Sequence, residues 1–129
     1  MQKVETGNWK TAHKQEIRNG AERILMDLGS ENLLCQLVEV QYGSIGKNHS
    51  HPHEQISIIL RGSCDYYVDG VPYRLTEGSW IVDPPNAMHY SVSLDPDVPL
   101  LILDIFSPSR PEFVESYLKS MKKQPMKEE

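Results

Sequence analysis

Short runs of alternating apolar and polar residues recur through most of the chain, and turn residues separate them. Alternation with a period of two is typical of strands with one buried face. We predict eight strands, over residues 21–28, 33–42, 55–60, 63–68, 72–75, 79–82, 88–94 and 100–106. The dipeptide Asp69-Gly70 between two of them is a strong hairpin signal. Many short strands joined by Gly, Pro and Asp turns are typical of an all-β sandwich or barrel.

Only the C-terminal part of the chain has the period of a helix. Pro111 suits a first helical turn, and Ser109 with Glu112 predicts a capping box at the helix start. Apolar residues then follow at helical spacing, and we expect them to form one face that packs on the outside of the sheet. These residues are Phe113, Tyr117, Leu118 and Met121.

The pattern divides the chain into four segments. The first, residues 1–20, is polar apart from Trp9, and we predict an arm that packs across a neighbouring sheet or subunit, with a frayed tail as the alternative. The strands occupy residues 21–108, and the helix occupies residues 109–123. Residues 124–129 are expected to be disordered.

Composition narrows the class of protein. A chain of 129 residues makes one domain, and 39% hydrophobic with 24% charged residues is ordinary for a globular protein. The net charge of −5, without a large basic cluster, argues against nucleic acid as a partner. No apolar run approaches the roughly 20 residues that span a bilayer, and the polar start lacks a secretory signal. Cys35 and Cys64 are therefore expected to be reduced thiols of a cytoplasmic protein.

A cluster of histidines precedes the third predicted strand. His49 and His51 are two residues apart, so on an extended backbone they point the same way, and Gln55 shares their parity. His89 follows a Pro-Pro turn and is the candidate fourth ligand. Three imidazoles and an amide oxygen suit one divalent transition metal, which we leave open as Zn, Ni, Fe, Mn or Co.

The other two histidines are weaker candidates. His53 follows Pro52, which bends the backbone, so we expect it to line the entrance of the site or to donate a hydrogen bond to a ligand residue. His13 lies in the polar arm, where a solvated or hydrogen-bonded ring is the simpler interpretation.

The most apolar strand, residues 100–106, has two different faces. If one face looks into the barrel, Asp104 is a carboxylate in a largely apolar wall. The opposite face then exposes Leu101, Leu103 and Ile105. Such a patch needs a cover, from the helix, the arm or a second subunit, and we predict a homodimer.

Two motifs resemble those of the cupins, a family of double-stranded β-helix (jelly-roll) barrels. The first, G-x5-H-x-H-x(3,4)-E-x6-G, matches Gly43, His49, His51, Gln55 and Gly62, with glutamine at the glutamate position. The second, G-x5-P-x-G-x2-H-x3-N, matches Gly78, Pro84 and His89, with Asn86 and Ser93 at the usual glycine and asparagine positions. The resemblance implies this fold for about residues 21–106.

A narrower resemblance is to the pectin-degradation cupins of the KdgF type. It rests on H-S-H-P-H-E-Q (residues 49–55) and L-D-I-F-S-P-S-R-P-E-F (residues 103–113). It implies an isomerase-like opening of 4,5-unsaturated uronates and a metal held by three histidines and a glutamine. It also implies catalytic roles for Asp104, Phe106 and Arg110.

The neutral amide of Gln55 has a chemical consequence for such a site. Neutral ligands leave the charge of the metal uncompensated, which favours an anionic ligand such as a sugar acid and Lewis-acid chemistry. Arg110 could hold its carboxylate, Asp104 could move a proton, and Phe106 could support the sugar ring. The alternative interpretation of Arg110 is a surface charge at the helix start, where the helix dipole does not favour it, and that of Asp104 is a buried hydrogen-bond acceptor. A metal-dependent dioxygenase and a non-catalytic ligand-binding protein remain alternative functions.

Overall fold

The computed structural model describes residues 2–123, which form two antiparallel sheets and one helix. The elements are β1 Gln15–Arg18, β2 Ala21–Met26, β3 Leu34–Val40, β4 Glu54–Arg61, β5 Cys64–Val68, β6 Val71–Leu75, β7 Trp80–Asp83, β8 His89–Ser93, β9 Leu100–Ser107 and α1 Pro111–Lys123. The larger sheet has the order β1-β2-β3-β9-β4-β7, and the smaller has the order β6-β5-β8. Apolar side chains from both sheets form one core, so the sheets pack face to face: Ala21, Val38, Val40, Ile59, Cys64, Tyr66, Leu75, Leu100 and Ile102. The prediction of an all-β jelly-roll fold is confirmed.

All eight predicted strands are present, with ends that differ from the prediction by at most a few residues. The strand that the sequence did not reveal is β1, inside the segment predicted as an arm. It pairs with β2 along the edge of the larger sheet, and Tyr117 of α1 donates a hydrogen bond to the carbonyl of His13 just before it. The ring of His13 also contacts the Ser120 hydroxyl at 2.9 Å, as expected for a hydrogen-bonded histidine. The predicted disorder of residues 124–129 lies outside the described residues.

Two turns explain why particular residues occur between strands. Asp69 and Gly70 both have positive φ, which is the conformation of the tight hairpin turn predicted from that dipeptide. Gly62 follows β4 with φ +84, and a Cβ there would lie 3.2 Å from the Cα of Leu100. Only glycine combines this φ with so close a neighbouring backbone.

The start of α1 differs from the predicted capping box. The carbonyl of Arg110 accepts the first helical hydrogen bonds, so Arg110 is the N-cap, whereas the backbone N–H of Ser109 bonds to the carbonyl of Glu31. The carboxylate of Glu112 contacts the Arg110 side chain at 3.1 Å and does not close a capping box. Pro111 occupies the first helical position as predicted.

The apolar face predicted for α1 is only partly buried. Tyr117 is 3% exposed, but Leu118 and Met121 are 41% and 43% exposed. The prediction that the whole stripe packs on the sheet is therefore wrong for its last two residues. No helix of the described residues is long and apolar enough to cross a membrane.

The strand β9 has the two faces that its parity predicts, with Asp104 on the buried one. Leu103 and Ile105, on its outward face, lie opposite apolar residues of the neighbouring strands, so that two apolar rows cross five strands of the larger sheet. The rows are Ile24–Leu37–Leu103–Ile58–Trp80 and Met26–Cys35–Ile105–Ile56–Val82. Cys35, in the second row, and Cys64, in the core, are both free thiols. The cytoplasmic location based on those thiols stays a prediction.

Candidate functional site

Two neighbouring histidines, His49 and His51, and the distant His89 converge at one end of the barrel. His49 and His89 form an isolated antiparallel bridge, in which each backbone N–H donates to the carbonyl of the other. Their ring centroids are 4.4 Å apart, and the ring of His51 lies 4.9 Å from that of His89. One ring nitrogen from each histidine falls within 4.8 Å of the other two. The three side chains therefore lie close enough together to hold one metal ion.

Backbone carbonyls fix the tautomer of all three rings. The Nδ1 atoms of His49, His51 and His89 lie 2.7, 3.2 and 3.0 Å from the carbonyl oxygens of Lys47, His53 and Ala87. A carbonyl oxygen can only accept a hydrogen bond, so each Nδ1 carries the proton and each Nε2 presents a lone pair. Metal-binding histidines in proteins are held in this way.

The surroundings of the His49 and His51 rings disfavour protonation of their remaining nitrogen, and the remaining nitrogen of His89 is buried. Burial lowers the pKa of His49 and of His51 from the usual value, and the positive charge of nearby Arg110 lowers both further. The Nε2 atom of His89 is buried and has no hydrogen-bond partner within residues 2–123. A buried nitrogen without a donor is costly unless a cation binds it.

A chain of directed hydrogen bonds aims the carbonyl of Gln55 at this cluster. Ser57 donates its hydroxyl proton to Asp104 at 2.6 Å, so its oxygen accepts from the Gln55 amide at 2.9 Å. Tyr66 likewise donates to Asp83, and its oxygen accepts from the same amide at 3.4 Å. Because Ser57 and Tyr66 hold the NH2 group of Gln55, its side-chain oxygen points towards the histidines.

The outward oxygen of Gln55 lies 2.8 Å from the Nε2 atom of His51. Both atoms present lone pairs, so this contact is repulsive unless a cation lies beside it. Two ligands at about 2.1 Å from one ion, at right angles, are about 3 Å apart. The donor set therefore fits a divalent transition metal, and the pair at His51 and Gln55 is a specific reason for one to bind.

The three residues predicted to be catalytic line the same cavity as His49, Gln55 and His89. Asp104 is buried, and Gln36 and Ser57 donate to its two oxygens at 2.8 and 2.6 Å. Burial raises the pKa of Asp104, although both hydrogen bonds act against the shift. Phe106 is 2% exposed and packs edge-on against His51, with centroids 5.6 Å apart.

Arg110 is buried rather than a surface charge at the helix start. It is 9% exposed, and its guanidinium lies 3.8 Å from the centre of the Phe113 ring and 5.1 Å from that of Phe106. Burial lowers the pKa of Arg110, and the adjacent Glu112 opposes that shift. His53 contributes its carbonyl to His51, and its ring is not one of the three that converge.

Several residues of this site were not found from the sequence. Tyr66, Asp83, Ser57 and Gln36 form the hydrogen-bond network beneath Gln55 and Asp104, and Arg23 lines the cavity from β2. The available signal was a polar residue at an inward position of a strand, as with Ser57 between the buried Gln55 and Ile59. Parity marks such positions but does not show which of them meet.

A model of the cupin domain matches residues 36–106 of the chain. The chain belongs to the cupin family. This cupin is 31% identical over 101 residues to the pectin degradation protein KdgF of Dickeya dadantii (strain 3937). The aligned region covers 78% of this chain and 89% of that protein. The resemblance to KdgF-type cupins found in the motifs is thus confirmed over most of the chain.

Solved structures give the same relationship. KdgF from a Halomonas species superimposes with a TM-score of 0.74 at 30% identity, covering 81% of this cupin and 94% of that chain. An RmlC-like cupin from Shewanella frigidimarina NCIMB 400 has a TM-score of 0.77 at 27% identity, covering 86% of this cupin and 96% of that chain.

Asn86 explains one departure of this cupin from the second family motif. It has φ 69, a conformation that favours glycine but that asparagine adopts more readily than most residues. Its backbone N–H donates to the carbonyl of His51 at 2.7 Å. The turn therefore keeps the shape that the motif glycine provides and ties the His89 loop to His51.

Proposed function

We propose that this cupin binds a divalent transition metal through His49, His51, Gln55 and His89 and linearises 4,5-unsaturated uronates. The observation that carries the proposal is the meeting of these four donors with a buried carboxylate and a buried guanidinium around one cavity. The similarity to two KdgF proteins supports this choice of substrate class.

The reaction is an isomerisation that needs one proton moved. The bond between the anomeric carbon and the ring oxygen breaks, the anomeric hydroxyl loses its proton, and the carbon at position 4 gains one as the enol becomes a ketone. When bound, the metal supplies Lewis-acid polarisation of substrate oxygens. We assign the proton transfer to Asp104, and this role is supported by burial, which raises its pKa, and by Ser57 and Gln36, which hold both its oxygens in place.

Arg110, Phe106 and the size of the cavity favour a single sugar acid. The Arg110 guanidinium lies over apolar rings, where a carboxylate could bind it in a bidentate geometry. The cavity has a volume of about 240 Å³. Ligand pockets for drug-sized molecules begin at about 300 Å³, so a monosaccharide suits this cavity better than an oligosaccharide.

The test measures the ultraviolet absorbance of an unsaturated monouronate, which disappears on linearisation. Metal-loaded protein should accelerate its loss, and decay at the uncatalysed rate would end the proposal. Thermal stabilisation by the sugar acid without turnover would indicate a non-catalytic ligand-binding protein. Oxygen uptake with iron or nickel bound, without ring opening, would indicate a dioxygenase.

Gln55→Glu restores the acidic residue that is usual in the cupin motif. We expect tighter metal binding and about a tenfold or greater loss of kcat/KM for the uronate, because a carboxylate neutralises part of the metal charge and repels the anion. It would also face the hydroxyl of Ser57 and the buried Asp104. Metal titration and uronate kinetics on the same preparation check both effects, and unchanged uronate kinetics would contradict the proposed role of the neutral amide.

We propose that a second copy of the chain covers the bare end of the two apolar rows on the larger sheet. At the β2 end, Ile24 and Leu37 are buried beside Trp9, but at the β7 edge Trp80 and Val82 are 68% and 60% exposed. Sedimentation should show a dimer, and Val82→Glu should shift it towards monomer because it places a charge on that surface. A monomeric wild-type protein at micromolar concentration would exclude the homodimer.

A further inference from the structure

Arg23 is a buried arginine on β2 that the proposed function does not use. It faces inward with Ala21 and Leu25 and is 7% exposed. Its Nε donates to the side-chain oxygen of Gln15 at 2.8 Å, across the β1–β2 pair. Its guanidinium lies 4.2 Å from the centre of the Phe113 ring.

Arg23 and Arg110 are two cations stacked on one aromatic ring. Arg110 lies 3.8 Å from the same Phe113 centroid and uses its Nε for Glu112. Within residues 2–123, the terminal amino groups of both guanidinium groups lack a hydrogen-bond acceptor, and Arg23 has no carboxylate within salt-bridge distance. Glu112 pairs with Arg110 and balances one of the two charges, so the buried pair needs a second anion to balance the other.

The charge of the residues that line the cavity also favours an anionic ligand. Its lining includes four basic residues, Arg18, Arg23, Lys47 and Arg110, and one acidic residue, Asp104, in a chain whose net charge is −5. Burial and the charge of Arg110 lower the pKa of Arg23 to about 10, so it remains cationic at neutral pH while repelling its neighbour. A carboxylate between them would remove that repulsion.

We propose that Arg23 acts with Arg110 to bind the carboxylate of the sugar acid, and that this pair makes the site select a free acid over its ester. The inference rests on the proposed function. Two guanidinium groups offer enough donors for both carboxylate oxygens, whereas a methyl ester carries no charge and offers weaker acceptors. Arg23 is thus a specificity-determining residue for the same reaction.

The experiment compares the unsaturated monouronate with its methyl ester in the metal-loaded wild type, Arg23→Gln and Arg23→Lys. Arg23→Gln should lower kcat/KM for the acid about 10- to 100-fold, mainly through KM, and should change the value for the ester less than about 3-fold. Arg23→Lys should restore part of the binding, because it keeps the charge but loses the planar donor pair. Arg74→Gln, which removes an exposed pair with Asp65, is the matched control and should affect neither substrate.

Equal losses on acid and ester would overturn the proposal and assign Arg23 the structural role of holding Phe113 and the start of α1. If the wild type turns over neither substrate, the proposed function fails. The arginine pair is then tested without catalysis, by calorimetric measurement of saturated galacturonate binding to the metal-free protein. Binding that Arg23→Gln weakens about 10-fold or more would still support the arginine pair. Absence of galacturonate binding, or binding unaffected by the substitution, would reject it.

Discussion

Replacing His51 with alanine is expected to remove the metal and to return uronate linearisation to nearly the uncatalysed rate. The Nε2 of His51 lies 2.8 Å from the Gln55 oxygen, and we expect both atoms to bind the ion. The substitution removes the first of these ligands and leaves the Gln55 oxygen without its neighbouring ligand. Losing residues that merely orient metal ligands costs about 10- to 100-fold in affinity, so losing a ligand itself should cost more. Elemental analysis of untagged protein and the absorbance assay measure the two effects.

The matched control is His53→Ala, two residues further along the same run. The ring of His53 is outside the converging group, and the carbonyl that it provides to His51 survives the substitution. It should retain its metal and most of its activity. Metal loss in His53→Ala together with retention in His51→Ala would show that the ion is held by a different set of residues.

The strands and their faces could be predicted because each depends on local sequence. The alternation in residues 100–106 places Asp104 and Phe106 inward, and the burial of β9 follows it residue by residue. The strand β1 escaped prediction because Ile17 is its only large apolar residue and is 36% exposed. Its place at the edge of the sheet comes from pairing with β2 and from the helix that packs on it, which are contacts between distant parts of the chain.

The metal donors could be predicted for a similar reason, whereas the network that holds them could not. The spacing of His49, His51 and Gln55 is local, and His89 is a candidate from its place after the Pro-Pro turn, which the resemblance to known motifs then supports. Gln36, Ser57 and Asp83 lie on three different strands, and only the register of those strands brings them under the site. Arg23 could not be recognised either, because an inward arginine in a strand is informative only when its neighbours are known.

The predicted capping box shows how a tertiary contact overrides a local motif. Ser109 and Glu112 have the right spacing, but the Ser109 N–H bonds to Glu31, and Glu112 contacts Arg110 instead. As a result Arg110 becomes the N-cap, and its side chain lies over the rings of Phe106 and Phe113 beside the cavity. The local preference is worth about 1 kcal/mol, and each of these contacts is of similar size, so together they outweigh it.

Asp104→Asn is expected to reduce kcat by about 10²- to 10⁴-fold while the protein stays folded and keeps its metal. Asparagine has nearly the same shape but cannot accept and return a proton. Gln36 can still donate to its amide oxygen, and the Ser57 oxygen can accept from its NH2 group, although the Ser57 hydroxyl loses Asp104 as the acceptor of its proton. The Ser57 oxygen can also still accept from the Gln55 amide, so the loss should appear in kcat and leave metal content unchanged.

The same substitution should stabilise the fold at neutral pH. Burial raises the pKa of Asp104 above its unfolded value, so ionisation at neutral pH favours the unfolded chain. The penalty is absent below the unfolded pKa of about 3.9 and grows as the pH rises towards the folded value. Unfolding midpoints of wild type and Asp104→Asn, both metal-free, should therefore diverge in favour of the variant between about pH 4 and pH 7. Lower stability of the variant across that range, with kcat unchanged, would make Asp104 a structural hydrogen-bond acceptor. A more stable and inactive variant would show that the buried carboxylate is retained for its chemistry at the expense of stability.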